Sequence, residues 1–545
     1  MDFQRLFLFL IFSFSLMMVW DGWQRYQHPQ VEQQAATTKS DLPVATTKPA
    51  DLAAQTAIIQ QAAKVDSGKI IKVKTDFLEA QISSVGGDIQ RLDFVKHLDG
   101  QDKSKQFVLF EKGAGTHNYV AQSGLLGAGM PNHTTLFSTE QDNYELTGNA
   151  DQLQVKLTAV AANGIKVVKL LTFHKSSYVI DVAYEIENTT ATAITTSAYY
   201  QFIRDSVDPV GGSKMVPTYT GMAVYTDKEK FQKVAFSDVE KSKVSYPKDS
   251  DNGWIGMLQH YFVAAWLPKD KTNREFFTRK LEGDSYSAGV IVPVPAIAAG
   301  QKSVVSVPLY AGPAQSTLDS IAPGLGLTVD YGWLTVVATP IFWMLTFIQG
   351  IVQNWGVAII LLTVLIKLLF FPLSAASYRS MAKMRLVAPK LEKIKLQYAD
   401  DREKLNRAMM DLYKTEKINP LGGCLPVIIQ IPVFIALYWS ILASVEMRNA
   451  PFFGWITDLS TADPFFVLPI LMGASMYLQS KLNPVPPDPM QAKIMKIMPI
   501  AFSVVFFWFP AGLVLYSIVN NALSIAQQWY ITRGIEVAGA AAAKR

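Results

Sequence analysis

Cysteine is almost absent: the 545 residues contain one, Cys424. A single thiol excludes an intramolecular disulfide and any cysteine cluster for zinc or iron–sulfur, so no metal and no cofactor is expected. Charge is also sparse. Only 17% of the residues are charged, and a net charge of +5 is small for this length, so no specific nucleic-acid site is expected. There is no Walker sequence, which leaves nucleotide hydrolysis without a motif. GGSK at Gly211 to Lys214 lacks the upstream glycine of a phosphate loop and is better explained as a turn. The first apolar run, Leu6 to Trp20, is followed by no small-x-small cleavage pattern but by Trp20, Asp21, Gly22 and Trp23, an interfacial boundary. An uncleaved anchor with a cytoplasmic N-terminus is the expectation.

What is abundant is apolar surface. Half of the residues are hydrophobic, a balance that fits a membrane protein with a substantial water-soluble part. Gln27 to Gly68 is rich in Gln, Ala, Thr, Lys and Pro and reads as a flexible tether. From Lys69 to about Pro313 the character changes. Segments such as VVKLLTFHKSSYVIDVAYEIEN, SAYYQFIRD, WIGMLQHYFVAAWLP and YSAGVIVPVP carry β-branched and aromatic residues with partial alternation, punctuated by Gly-Gly, Asn-Gly, Asp-Gly and Pro turns. One large all-β domain of two packed sheets follows, and no stretch within it could span a bilayer. His97, His117, His133, His174 and His260 could supply acid/base chemistry there, but no metal-ligand spacing or nucleophile motif accompanies them.

Polar residues inside the apolar C-terminal half carry the functional signal. VAIILLTVLIKLLFFPL, from Val357, approaches the length needed to cross a hydrocarbon core of about 30 Å, yet it contains Lys367 four residues after Thr363, on the same helical face. An ammonium in lipid costs roughly 3 kcal/mol by insertion scales, so such a residue is a functional candidate; the alternative is a long stem snorkelling past Pro372 to nearby headgroups. In GLVLYSIVNNALSIAQQWY, residues Ser517, Asn521, Ser524 and Gln528 share one helix face at spacings of four, three and four. Two polar faces among membrane helices predict a hydrophilic cleft; the alternative for the last helix is polar glue between packed helices.

Ser374 to Asn419 holds eleven basic residues against six acidic ones. Met384, Val387, Leu391, Ile394 and Tyr398 form a heptad-like seam that Pro389 should kink or interrupt, and Leu405, Ala408 and Leu412 continue it after a turn at Asp400-Asp401. The excess of Lys and Arg places this helical hairpin in the cytoplasm, with Lys383, Arg385, Lys390 and Lys393 as its contact residues. Before the lysine-bearing span, YGWLTVVATPIFWMLTFIQGIVQNW is broken by Pro340 and Gly350 and fits an interfacial helix. The expected organisation is an anchor at 1–26, a linker at 27–68, a β domain at 69–318 and an interfacial region at 319–352. Span 353–373, hairpin 374–419, span 420–444, outer loop 445–464, span 465–482, cytoplasmic loop 483–493, spans 494–509 and 510–530 and a tail at 531–545 follow, which puts all basic loops on one side.

NPLGGCLPVIIQIPVF, Asn419 to Phe434, closely resembles the YidC/Oxa/Alb membrane protein insertases. MAKMR at Met381 to Arg385, DPMQ at Asp488 to Gln491 and WFPAGLVLY at Trp508 to Tyr516 are similar to further motifs of that family. The resemblance covers the whole chain, and the anchor followed by a large outer domain resembles the Gram-negative bacterial branch. It implies a multi-domain membrane protein: an α-helical transmembrane core of six spans, five of them forming the insertase core, a periplasmic all-β domain (a β-supersandwich related in shape to sugar mutarotases) and a cytoplasmic hairpin. It implies a cationic groove closed to the outside, in which Lys367 matches the single basic residue, often arginine in bacterial members. Thr363, Gln430 and the polar face of the last span line that groove, and Phe434, Met472 and Tyr516 match a face along which substrates slide. Implied partners are nascent membrane proteins, the ribosome, the Sec translocon (SecYEG and SecDF) and membrane lipids. The expected function is therefore non-enzymatic insertion into the bacterial inner membrane. The alternatives are a membrane-anchored sugar-binding or mutarotase-like protein and a secondary transporter.

Overall fold

The structure is a computed structural model that describes residues 42–43, 68–100, 102–113, 117–161, 163–208, 219–331, 334–398, 401–416, 425–483 and 489–543. The expected anchor at 1–26, nearly all of the linker at 27–68, the GGSK turn and Asn419 to Cys424 lie outside the described residues. The chain divides into two compact units, Met1–Thr328 and Val329–Arg545.

In the first unit, a ten-stranded and a nine-stranded sheet are built almost wholly from antiparallel neighbours. The segments singled out for alternation become its strands: Lys166–His174 pairs with Val179–Glu187, and Ile194–Asp205 with Ser285–Ile297. Along Val179–Glu187 side chains alternate between the interior and a more exposed face, as a half-buried strand requires. Strands Trp254–Gln259 and Phe262–Trp266 are buried throughout, because the fold covers both their faces. Between the sheets Phe202 stacks on Trp266 at 5.5 Å, and the Ser123 and Tyr184 hydroxyls meet at 2.9 Å. The Gly-Gly turn signal is real at Gly86-Gly87, where φ is 76° and 64°. A Cβ on Gly86 would lie 2.4 Å from the His133 carbonyl oxygen, so only glycine fits there.

That turn receives a buried charge. Lys169 donates from Nζ to the Gly86 carbonyl at 2.9 Å and is 1% exposed. Burial pulls its amine down to about 8, opposed by the nearby Asp88 carboxylate, while burial pushes Asp88 up to about 6. The histidines are held by structural partners. His133 bonds Tyr199, His174 meets Asp181 at 2.8 Å, His117 faces Asp205, and His97 and His260 pack on aromatic rings.

The second unit is helical. Helix α1, Thr335–Val352, runs through Pro340 and Gly350 rather than breaking there; Pro340 lies in its second turn and costs one backbone bond. Gln353 ends it in the left-handed conformation, and the Asn354 side chain accepts from the Val357 amide to start α2, Trp355–Leu369. Helix α3, Phe371–Gln397, leaves α2 at a bend of 67° and continues through Pro389, which sequence reasoning expected to kink or interrupt it. Asp401 caps α4, Arg402–Thr415. The seam between α3 and α4 includes Met384, Val387 and Leu391 against Met409, Leu412 and Tyr413, and Leu405 and Ala408 are half-buried on α4. Helices α5, Leu425–Ala443, and α6, Val467–Leu482, are followed by α7, Pro489–Val505, and by α8, Ala511–Ala543, which begins after the expected break at Phe509-Pro510. Among the described residues, α1 is the one helix long and apolar enough to cross a bilayer alone. The α2–α3 pair passes the same test together, and Ile428–Ala443 and Ile497–Trp508 are shorter apolar helices.

Candidate functional site: a buried lysine on a polar face

Thr363 and Lys367 lie on one face of α2, and Ser517, Asn521, Ser524 and Gln528 on one face of α8; all six are buried, Lys367 to 8% exposure. Lys367 sits in the last turn of α2, where the carbonyl end of the helix favours a cation. Its amine does not snorkel. It donates to Ser524 Oγ at 2.6 Å. The Ser524 hydroxyl donates in turn to the Asn520 carbonyl at 2.7 Å, and the buried Tyr378 of α3 lies beside it. One hydroxyl thus accepts from α2 and donates within α8, joining the two helices. Among the described residues no carboxylate forms an ion pair with Lys367. Among the described residues, the cation is compensated by a neutral dipole and a helix end.

The other expected residues divide into three roles. Thr363 and Ser517 donate to carbonyls of their own helices, Ile359 at 2.6 Å and Leu513 at 2.9 Å, leaving hydroxyl lone pairs on the shared face. Asn521 donates to Ser475 Oγ at 3.0 Å and to Met472 Sδ, tying α8 to α6. Gln528 donates to the Leu482 carbonyl at 3.0 Å and to Asn483. Those last two side chains are the glue that the alternative reading of the stripe described. Gln430 of α5 bonds Asn520.

Phe434 and Tyr516 come together, with ring centres 6.4 Å apart, and Phe434 also meets Phe506 and Phe509. Met472 is not in that ring cluster; it packs beside Asn521. Lys383, Lys390 and Lys393 are exposed on α3, with Lys390 paired to Glu416. Arg385 is half-buried and donates to the Lys481 and Leu482 carbonyls, so it caps the end of α6 that Gln528 also caps. Sequence reasoning missed Ser475, Asn520, Tyr378, Phe506 and Phe509. Ser475, three residues after Met472 on the same face, and Asn520, beside Asn521, carried a signal in their spacing; Tyr378 carried none.

The YidC periplasmic domain family matches residues 70–344, and the 60Kd inner membrane protein family matches residues 347–538. A membrane protein insertase YidC of Methylobacillus flagellatus is 54% identical over 547 residues, covering 99% of each chain. One of Nitrosospira multiformis is 52% identical over 566 residues, covering 100% of this chain and 99% of that one. Among solved structures, an active YidC insertase with its first transmembrane domain resolved has a TM-score of 0.41 at 19% identity, covering 86% of this chain and 95% of that one. A galactose mutarotase related enzyme of Lactobacillus acidophilus has a TM-score of 0.31 at 9% identity and covers 44% of this chain. Identity above half, sustained from one end of the chain to the other, identifies it as a member of the YidC family of membrane protein insertases.

Proposed function

We propose that this chain inserts nascent membrane proteins into the bacterial inner membrane through a cleft lined by Lys367, Thr363, Gln430, Ser517, Asn521, Ser524 and Gln528, without enzymatic chemistry or cofactor. The observation that carries this reading is the amine of Lys367: buried, bonded to Ser524, and unmatched by a carboxylate among the described residues. In a low-dielectric setting such a cation attracts an acidic or hydrophilic segment several-fold more strongly than it would in water. Polar groups on α8 replace part of that segment's lost hydration. The apolar part of the substrate leaves past Phe434, Met472 and Tyr516 into lipid, driven by its own transfer. The membrane potential adds about 2.3 kcal/mol per charge per 100 mV to the outward movement of an acidic residue.

The same reading assigns six spans, termini in the cytoplasm, and the β unit to the periplasm. The exposed Lys383, Lys390 and Lys393 of α3 meet the ribosome or nascent chain, and the core works alone or beside the Sec translocon, SecYEG and SecDF, in contact with membrane lipids. In a depletion strain, Lys367→Arg is expected to support insertion of a short single-span substrate and Lys367→Glu to lose it at least tenfold. Full activity of the glutamate form would remove the lysine from the mechanism. Deleting most of Lys69 to Gly312 is expected to leave insertion largely intact; collapse of insertion with a folded core would favour a function seated in the β unit.

A further inference from the structure

Four elements of the helical unit meet at Gly512, in the first turn of α8. A Cβ there would lie 3.2 Å from Ile359 of α2, 3.2 Å from the Leu459 carbonyl oxygen and 3.4 Å from Ile441 of α5. The Gly512 amide donates to that Leu459 carbonyl at 2.9 Å, and Ala511 donates to Thr461 at 2.7 Å. The unpaired amides that open a helix are thus satisfied by the segment joining α5 to α6. That segment is itself fixed at both ends. Phe452 occupies the space above Gly356 of α2, where a Cβ would come within 2.0 Å of its ring. Asp463 accepts from Trp455 Nε1 at 2.9 Å and from the Phe465 and Leu468 amides at 3.0 and 2.7 Å. Ile359, Ile441, Leu459 and Leu513 are all fully buried.

The polar face stops at this layer. Thr363 lies one turn after Ile359, and Ser517 one turn after Leu513, and on the other side of the layer the α5–α6 segment is bonded to the start of α8 through the Leu459 and Thr461 carbonyls. From Gly356 to Thr363 the inward residues of α2, Ala358, Ile359 and Leu362, are apolar and buried, a layer about 10 Å deep at 1.5 Å per helical residue. A tightly packed apolar constriction of this kind excludes water and ions by dewetting.

We propose that Ile359, Ile441, Leu459 and Gly512, capped by Phe452, form the ion seal of the helical core, and that the membrane potential falls mainly across this thin septum. The inference rests on the polar face being wetted from the side of the hairpin. A field confined to about 10 Å instead of a hydrocarbon core of about 30 Å is roughly three times steeper. An acidic residue leaving the neighbourhood of Lys367 then receives most of the electrical work in one short step, as it passes Gly512.

The test is passive leak, measured without any substrate. Full-length protein is reconstituted into liposomes carrying a potassium diffusion potential, and decay of the potential is followed with a voltage-sensitive dye and an entrapped pH indicator. The unmodified protein and Leu459→Met, which keeps apolar volume, are expected to hold the potential. Leu459→Ser, which places a hydroxyl in the dry layer, and Phe452→Ala, which empties the cap, are expected to dissipate it at least tenfold faster. Leak rates for both variants equal to that of Leu459→Met would overturn the seal, as would a leaky unmodified protein. If the variants stay tight while Lys367→Glu abolishes insertion, the seal fails and the insertion reading stands; if they leak while Lys367→Glu remains active, the reverse holds.

Discussion

Each unit of this protein buries a lysine, and the two are treated in opposite ways. Lys169, 1% exposed, points at the Gly86 carbonyl with the Asp88 carboxylate nearby and the Tyr184 ring 5.6 Å from its amine. Lys367, 8% exposed, meets one serine hydroxyl. The first is a structural charge, neutralised so that two sheets can share an interior. The second is left with excess positive potential, which costs the fold stability and gives the site something to offer an acidic ligand. Burial alone does not separate a functional charge from an architectural one. What separates them is whether the protein has already supplied the opposite charge.

Substitutions can break this contrast in a defined order of size. Lys169→Ala is expected to destabilise the β unit by about 3 kcal/mol or more, because it strands Asp88 in the interior. Hydrogen exchange of peptides covering Lys166–His174 in the full-length protein would register the loss. Lys367→Met is expected to do the opposite, raising the unfolding temperature of the helical unit by relieving a buried charge worth about 2 kcal/mol while insertion falls. A protein that lost stability on this substitution would show that Lys367 is architectural after all.

A smaller effect concerns pH. Asp88 holds its proton up to about 6 when folded, whereas an unfolded carboxyl releases it near 4. The folded state binds more protons in that window, so exchange protection around Asp88 should rise as the pH falls from about 6 towards 4, with a slope of at most ~1.4 kcal/mol per unit. Asp88→Asn should flatten the slope. The least effect is expected for Asn521→Ala, which removes the two side-chain contacts from Asn521 of α8 to Ser475 and Met472 of α6 and should cost about 1 kcal/mol, read as a modest drop in the unfolding temperature of the helical unit.

Much of this was legible in advance because periodicity survives folding. The spacing of Ser517, Asn521, Ser524 and Gln528 places them on one buried face of α8, and Thr363 and Lys367 share a face of α2. The alternating strands around Val167 to Asn188 likewise form where the pattern puts them. Spacing along one helix, however, says nothing about what faces it. It could not separate Ser524, which receives the lysine, from Gln528, which caps α6. Arg385, chosen as one more surface charge of the hairpin, turns inward because two free carbonyls wait at the end of α6. Pro340 and Pro389 interrupt neither helix: each lies inside a continuous one, at the loss of one backbone bond.

The 67° bend between α2 and α3 has a mechanical corollary. The elbow sits at Phe370, so a sideways swing of the α3 arm about it need not displace α2 along its own axis. Lys367, three residues before that elbow, holds Ser524 of α8, so the α2 side of the joint is pinned to the last helix.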